Sequence, residues 1–157
     1  MSTLLAKNVN ALIQACANGN LEHVKFLIKN EADVRASDDH ALRCASYYGH
    51  LDVVKCLVEN GANIHANNSY PIRSASANGH LEVVKYLIEH GADVHANNDG
   101  ALEDSSYNGH LAVVKCLVEN GANIHAADDL PLRWASDNGH SAIVEYLISK
   151  GANRKLL

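Results

Sequence analysis
The sequence predicts an all-α fold, a solenoid of short helix-turn-helix units, and three observations predict it. A Gly-His pair recurs every thirty residues, at Gly49-His50, Gly79-His80, Gly109-His110 and Gly139-His140. The segments that follow are near copies of one another: "HLDVVKCLVENGANIHA" from His50, "HLEVVKYLIEHGADVHA" from His80 and "HLAVVKCLVENGANIHA" from His110, with "HSAIVEYLISKGAN" from His140 and a weaker "NLEHVKFLIKNEAD" from Asn20. Within each copy the apolar residues keep a helical spacing and glycine punctuates the ends. Self-similarity at a fixed period of a few tens of residues is the signature of stacked-repeat architectures. Helices shorter than about 12–15 residues are marginal alone in water, so each pair is expected to bury its apolar face on the next. Residues 1–157 read as one domain of five units, about 9–38, 39–68, 69–98, 99–128 and 129–157.

The second unit carries the grammar of the others. Asp39 stands where an N-cap belongs, as do Ser69, Asp99 and Asp129 in later units, because a side-chain oxygen there accepts an orphan amide hydrogen bond. A first helix is expected from about residue 40 to Tyr48. Pro71 and Pro131 fall in the first turn of its counterparts, where a missing N–H costs little. Gly49 ends the helix by taking up left-handed backbone. A second helix is expected from about Leu51 to Asn60, with Leu51, Val54, Leu57 and Val58 on one apolar face and Lys55 and Glu59 pointing away. Gly61 ends it. In the first unit Asn20 replaces the recurring histidine and Glu31 the terminating glycine, which predicts a less regular cap. In the last unit Arg154 and Lys155 follow where Ile64, Val94 and Ile124 are apolar. A polar terminal face suits a solenoid end, so no sixth unit is expected.

These residues resemble the ankyrin repeat, whose helix-turn-helix signature has a T-P-L-H-x-A segment, a Gly-His between the helices and a V-V-x-x-L-L-x-x-G-A run. "PLRWASDNGH" (131–140) and "PIRSASANGH" (71–80) match the first half, and the "VVKCLVENGA" copies match the second. The resemblance covers nearly the whole chain. It implies an ankyrin-type solenoid with shortened inter-repeat hairpin loops, since the family unit is about 33 residues and these are thirty. Thirty-residue units of this wording resemble the ankyrin arrays of giant DNA viruses. The family's first-helix histidine is also missing, replaced by Arg43, Arg73, Glu103 and Arg133.

The formal net charge of -5 argues against nucleic acid, whose binders carry a basic stripe, and against anionic membrane surfaces. No apolar run approaches the length of a membrane span. "MSTLLAKNVN" lacks the basic start and long apolar core of a secretory leader. Cys16, Cys44, Cys56 and Cys116 form no CxxC pair and read as reduced thiols. The expected location is cytoplasmic, the host cytosol if the chain is viral. Cys56 and Cys116 share a column with Phe26, Tyr86 and Tyr146, too far apart along a stack for a disulfide.

Seven of the ten histidines form two columns, His50, His80, His110 and His140, then His65, His95 and His125. Members of a column are spaced by the stacking of helices, about 8–10 Å, and cannot share one zinc at about 2.0–2.1 Å. Each imidazole is expected to link backbone groups across a turn or between units, while His40 and His90 are isolated and expected to be solvated. No G-x-S-x-G elbow, P-loop or H-E-x-x-H occurs. No catalytic residue, cofactor or metal ligand is therefore assigned.

The units differ mainly in their first helices. One variable site reads His40, Tyr70, Gly100, Leu130, another Cys44, Ser74, Asp104, Trp134, and a third Tyr47, Ala77, Tyr107, Asp137, with Tyr48 beside it. In the ankyrin family the first helix lines a concave groove where partners bind. The resemblance and this variation together assign partner binding to Tyr47, Tyr48, Tyr70, Ser74, Ala77, Asp104, Tyr107, Trp134 and Asp137. Tyr and Trp are enriched among the few residues that dominate protein–protein binding. Glu103 is expected either to pair with Arg73 and Arg133 across the stack or to form an acidic spot with Asp104. The sequence thus reads as a non-enzymatic, monomeric module for an unidentified protein partner. The alternatives are a self-associating scaffold, or a substrate adaptor for a ubiquitin ligase acting with another protein.

Overall fold
The computed structural model describes residues 2–157, with side chains from residue 8 onward. The described residues form ten α-helices: α1 (Ser2–Ala17), α2 (Leu21–Lys29), α3 (Ala36–Tyr48), α4 (Leu51–Glu59), α5 (Ala66–Ala77), α6 (Leu81–Glu89), α7 (Ala96–Tyr107), α8 (Leu111–Glu119), α9 (Ala126–Asp137) and α10 (Ser141–Ser149). A 3-10 turn follows at Arg154–Leu156, and no strand occurs among the described residues. The odd-numbered helices stack as one layer and the even-numbered ones as a second, each odd helix packing on the even helix that follows it. Neighbours in the first layer approach one another more closely than neighbours in the second. Such a difference in spacing bends a stack toward its first layer.

The core is two parallel ladders. Leu12, Leu42, Ile72, Leu102 and Leu132 form one along the odd helices. Val53, Val54 and Leu57 of α4, with Val83, Val84 and Leu87 of α6 and Val113, Val114 and Leu117 of α8, form the other. Full burial of one such side chain contributes about 1.5–3 kcal/mol relative to exposure. The expected face of the second helix was off by part of a turn. Val53 is fully buried, whereas Leu51 and Val58 are only half-buried. An inner even helix packs against its own odd helix and against even helices on both sides, so adjacent positions such as 53 and 54 are both covered.

The shortened inter-unit loops are built from left-handed turns. Residues 37–39, 67–69, 97–99 and 127–129 all have φ between +47° and +60°. For most residues left-handed backbone costs about 1–2 kcal/mol each, and Asn and Asp tolerate it best. The segments are Ser37-Asp38-Asp39, Asn67-Asn68-Ser69, Asn97-Asn98-Asp99 and Ala127-Asp128-Asp129. Only Ala127 lacks a side chain suited to local hydrogen bonding.

The N-cap reading of Asp39, Ser69, Asp99 and Asp129 is corrected by these turns, in which all four lie buried. The backbone N–H of Asn63, after α4, donates to Asp39 Oδ1 at 2.7 Å. Asn123 does the same to Asp99 at 2.7 Å, and Asn153 to Asp129 Oδ2 at 3.4 Å. Each aspartate therefore ties the exit of an even helix to the turn that opens its odd partner.

Two further expectations at the first unit are revised. Asn20 does what the histidines cannot do there and caps α2, its Oδ1 accepting from His23 N at 3.0 Å. Glu31 keeps the left-handed backbone of the glycines it replaces, with φ +63°. The helix end is thus regular, and the strain is carried by a residue with a Cβ.

Candidate functional site
Four histidines hold the first-helix face in register. The Nε2–H of His50 donates to Ala17 O at 3.0 Å, that of His80 to Tyr47 O at 2.9 Å, that of His110 to Ala77 O at 3.0 Å and that of His140 to Tyr107 O at 2.9 Å. The acceptors sit at the ends of the odd helices one pair earlier. Three of them, Tyr47, Ala77 and Tyr107, are predicted partner-binding residues. The rings lie so close to Gly19, Gly49, Gly79 and Gly109 that a Cβ there would come within 2.4–2.6 Å of an imidazole atom. These glycines are needed for the ring's approach as well as for their left-handed backbone.

The second histidine column acts locally. His95 Nδ1 meets Asp99 Oδ1 at 3.0 Å and His125 Nδ1 meets Asp129 Oδ1 at 2.6 Å. His65 faces Ser69 instead of an aspartate in this pattern. The expectation that His90 is merely solvated is corrected. Its Nδ1 binds Tyr86 O at 2.8 Å and its ring lies 3.9 Å from that of Tyr86, so it does the work of Asn60, whose amide donates to Cys56 O at 2.7 Å. His40 is half-buried in the first-helix face. Among the described residues no three His, Cys, Asp or Glu side chains gather as a metal site. The four thiols are free. Burial raises all of them, Cys16 to about 12, which disfavours the thiolate a nucleophile needs.

On the first-helix face, Tyr47, Tyr48, Tyr107 and Trp134 are 44%, 53%, 47% and 36% exposed. They form two clusters. Tyr47 and Tyr48 meet edge-on with ring centroids 4.9 Å apart, and Tyr107 of α7 meets Trp134 of α9 edge-on at 5.3 Å. Tyr70 is half-buried under the Arg43 guanidinium, 5.7 Å from the ring centroid. Ser74 is buried, its hydroxyl donating to Pro71 O at 3.2 Å, so little of it is open to contact. Ala77 is half-buried and Asp137 is exposed.

Between the clusters Arg73 Nη2 pairs with Asp104 Oδ2 at 3.1 Å. The expected partner was Glu103. The carboxylate one residue on lies under the arginine, and Gly100 leaves the space, since a Cβ there would come 2.8 Å from Arg73 Nε. Burial, with Asp104 next to it, raises the Glu103 carboxyl above its ordinary value despite Arg73.

A hollow of about 150 Å³ opens beside the first cluster, lined by His40, Arg43, Cys44, Tyr47, Tyr48 and Tyr70. A second, of about 140 Å³, adjoins it across Tyr47 and Tyr70 and includes Arg73 and Asp104. His40, Arg43 and Cys44 were left out of the candidate set. The signal for two of them was present, because His40 and Cys44 stand at variable first-helix sites.

The family model described as ankyrin repeats (3 copies) matches residues 2–68 and 65–128, and the single ankyrin-repeat model matches residues 128–156. The chain belongs to the ankyrin-repeat family. No curated protein matches the sequence. Ankyrin repeats as a class mediate protein–protein interactions and are typically non-enzymatic. No helix among the described residues is long and apolar enough to cross a membrane.

Proposed function
We propose that this ankyrin array is a non-enzymatic module whose five units act as one domain and bind a protein partner on the first-helix face. The supporting observation is the placement of exposed aromatics. Of the five among the described residues, Tyr47, Tyr48, Tyr107 and Trp134 lie on odd helices, and only Phe26 lies on an even one. Leaving such rings in water forgoes burial worth about 1.5–3 kcal/mol for a large side chain, and aromatic anchors are what dominates protein interfaces. The histidine relay holds the Tyr47 and Tyr107 carbonyls, so those two rings are presented on fixed supports.

The test is partner affinity by surface plasmon resonance, with circular dichroism to confirm folding. Tyr47→Ala combined with Tyr107→Ala should weaken binding by at least about 2 kcal/mol. The control belongs at Glu59 and Glu119, exposed on α4 and α8. Lys55 and Lys115 are unsuitable, because they do not simply point into water: their ammonium groups lie 5.9 and 5.6 Å from the ring centroids of Tyr86 and Tyr146. Loss of binding in Glu59→Gln/Glu119→Gln with retention in the tyrosine pair would move the interface to the even-helix face.

A further inference from the structure
The arginine column on the odd helices is unevenly neutralised. Arg73 has Asp104 as its counter-charge at 3.1 Å. Arg43, one pair earlier, has none among the described residues. Its Nη2 donates only to Ser37 O at 3.2 Å; the Nε is buried without a partner in Arg43 and Arg73 alike, so the difference between them is the missing carboxylate. The residue that stands to Arg43 as Asp104 stands to Arg73 is Ser74, thirty-one positions on in both cases. Arg43 lines the 150 Å³ hollow with His40, Cys44, Tyr47, Tyr48 and Tyr70 and with no carboxylate. An ionised guanidinium held in a half-buried site favours an anion, and Arg is well shaped for a carboxylate.

We infer that the hollow between α3 and α5 receives an acidic side chain of the protein partner, its carboxylate on Arg43 and its flanking apolar atoms on Tyr47, Tyr48 and Tyr70. This deepens the proposed function and rests on it for the statement that a protein is the occupant. One carboxylate matches the one guanidinium that lines the hollow. A dianionic phosphate would carry more charge than the site offers. The hollow's volume suits one side chain and not a folded element.

The probe is a pair of blocked peptides, acetyl-Ala-Glu-Leu-amide and acetyl-Ala-Gln-Leu-amide, titrated into the full 157-residue chain and followed by amide NMR shifts. The glutamate peptide should move resonances around 40–48 and 70 and bind at least about fivefold more tightly than the glutamine peptide at low salt. Raising salt to about 0.5 M should shrink the difference. Arg43→Gln should abolish the preference, while Arg133→Gln, at an exposed arginine outside the hollow, should leave it intact. Should Arg43→Gln disturb the Ser37 turn, Ser74→Asp decides. It keeps the arginine and installs the counter-charge that Arg73 already has, so the preference should vanish from a folded protein. The reverse change, Asp104→Ser, should add a second glutamate-preferring site around Arg73.

Equal shifts from both peptides, or a preference that survives Ser74→Asp, would overturn the inference. The two readings fail separately. Partner binding lost in Tyr47→Ala/Tyr107→Ala but unchanged in Ser74→Asp removes the acidic anchor and keeps the interface. A glutamate preference that holds while the tyrosine pair leaves partner binding intact keeps the pocket and removes the assigned face.

Discussion
Gly79 and Gly139 occupy the same place in their units and share nearly the same backbone, with φ +76° and +75°. Their surroundings differ. A Cβ on Gly79 would meet His110 Nδ1 at 2.6 Å, whereas nothing lies within 4 Å of one on Gly139. The α5–α6 pair is covered on both sides, and α9–α10 packs on one neighbouring pair. Tyr86 of α6 is buried accordingly, while its counterpart Tyr146 on α10 is only half-buried. One local sequence thus acquires different energetics from its place in the stack. In a quasi-one-dimensional array, stability is the sum of unit terms and nearest-neighbour terms, and this comparison isolates the second kind.

The largest effect should come from the core. Leu87→Ala should cost about 2–5 kcal/mol, and Leu147→Ala should cost less although Leu147 is equally buried, because unfolding α9–α10 breaks one interface in place of two. Urea melts of both variants, fitted with a nearest-neighbour model, check the order. An equal or reversed order would mean that the coupling between pairs is weak.

The glycines give a finer cut. Gly139→Ala should cost about 1–2 kcal/mol for left-handed backbone alone, and Gly79→Ala about 1–3 kcal/mol more for the displaced imidazole. Gly79→Ala combined with His110→Ala should recover part of that difference, since the clashing ring is gone. If the two glycine variants melt together, the rings are looser over their glycines than the 2.6 Å approach demands.

The smallest effect concerns charge on α7. The Glu103 carboxyl is raised first by burial and then by Asp104. A folded-state pKa above the unfolded value means that the native state binds the proton more tightly. Stability is then lost as pH rises through the folded value. Glu103→Gln should therefore gain a few tenths of a kcal/mol at pH 7, with the gain fading toward pH 4. Denaturant midpoints at the two pH values test it. A loss at pH 7 would make the attraction of Glu103 to Arg73 the larger influence.

The repeat itself was plain in the sequence, because a thirty-residue period carrying Gly-His admits few architectures. The inter-unit role of His50, His80, His110 and His140 was legible for the same reason, since a column cannot converge on one ion. The left-handed turns were not. Asp and Asn suit both an N-cap and left-handed backbone, and nothing local separates the two at Asp39. Val53 was missed because an amphipathic reading of α4 assumes one packing partner, and the helix has three. The Arg73–Asp104 pair escaped a reading by columns because the arginine side chain reaches diagonally across the stack, over Gly100.

The histidine relay also acts as a length gauge for the gene. Each hydrogen bond reaches back thirty-three positions across units of thirty, so the ring and the glycine beneath it always belong to different copies. A duplication or deletion of thirty residues that starts after Asn20 returns every ring to a glycine and a carbonyl. An event of another length leaves one junction where the imidazole meets the wrong residue. Growth and shrinkage of the array are thereby quantised, while the first helices between junctions remain free to diverge.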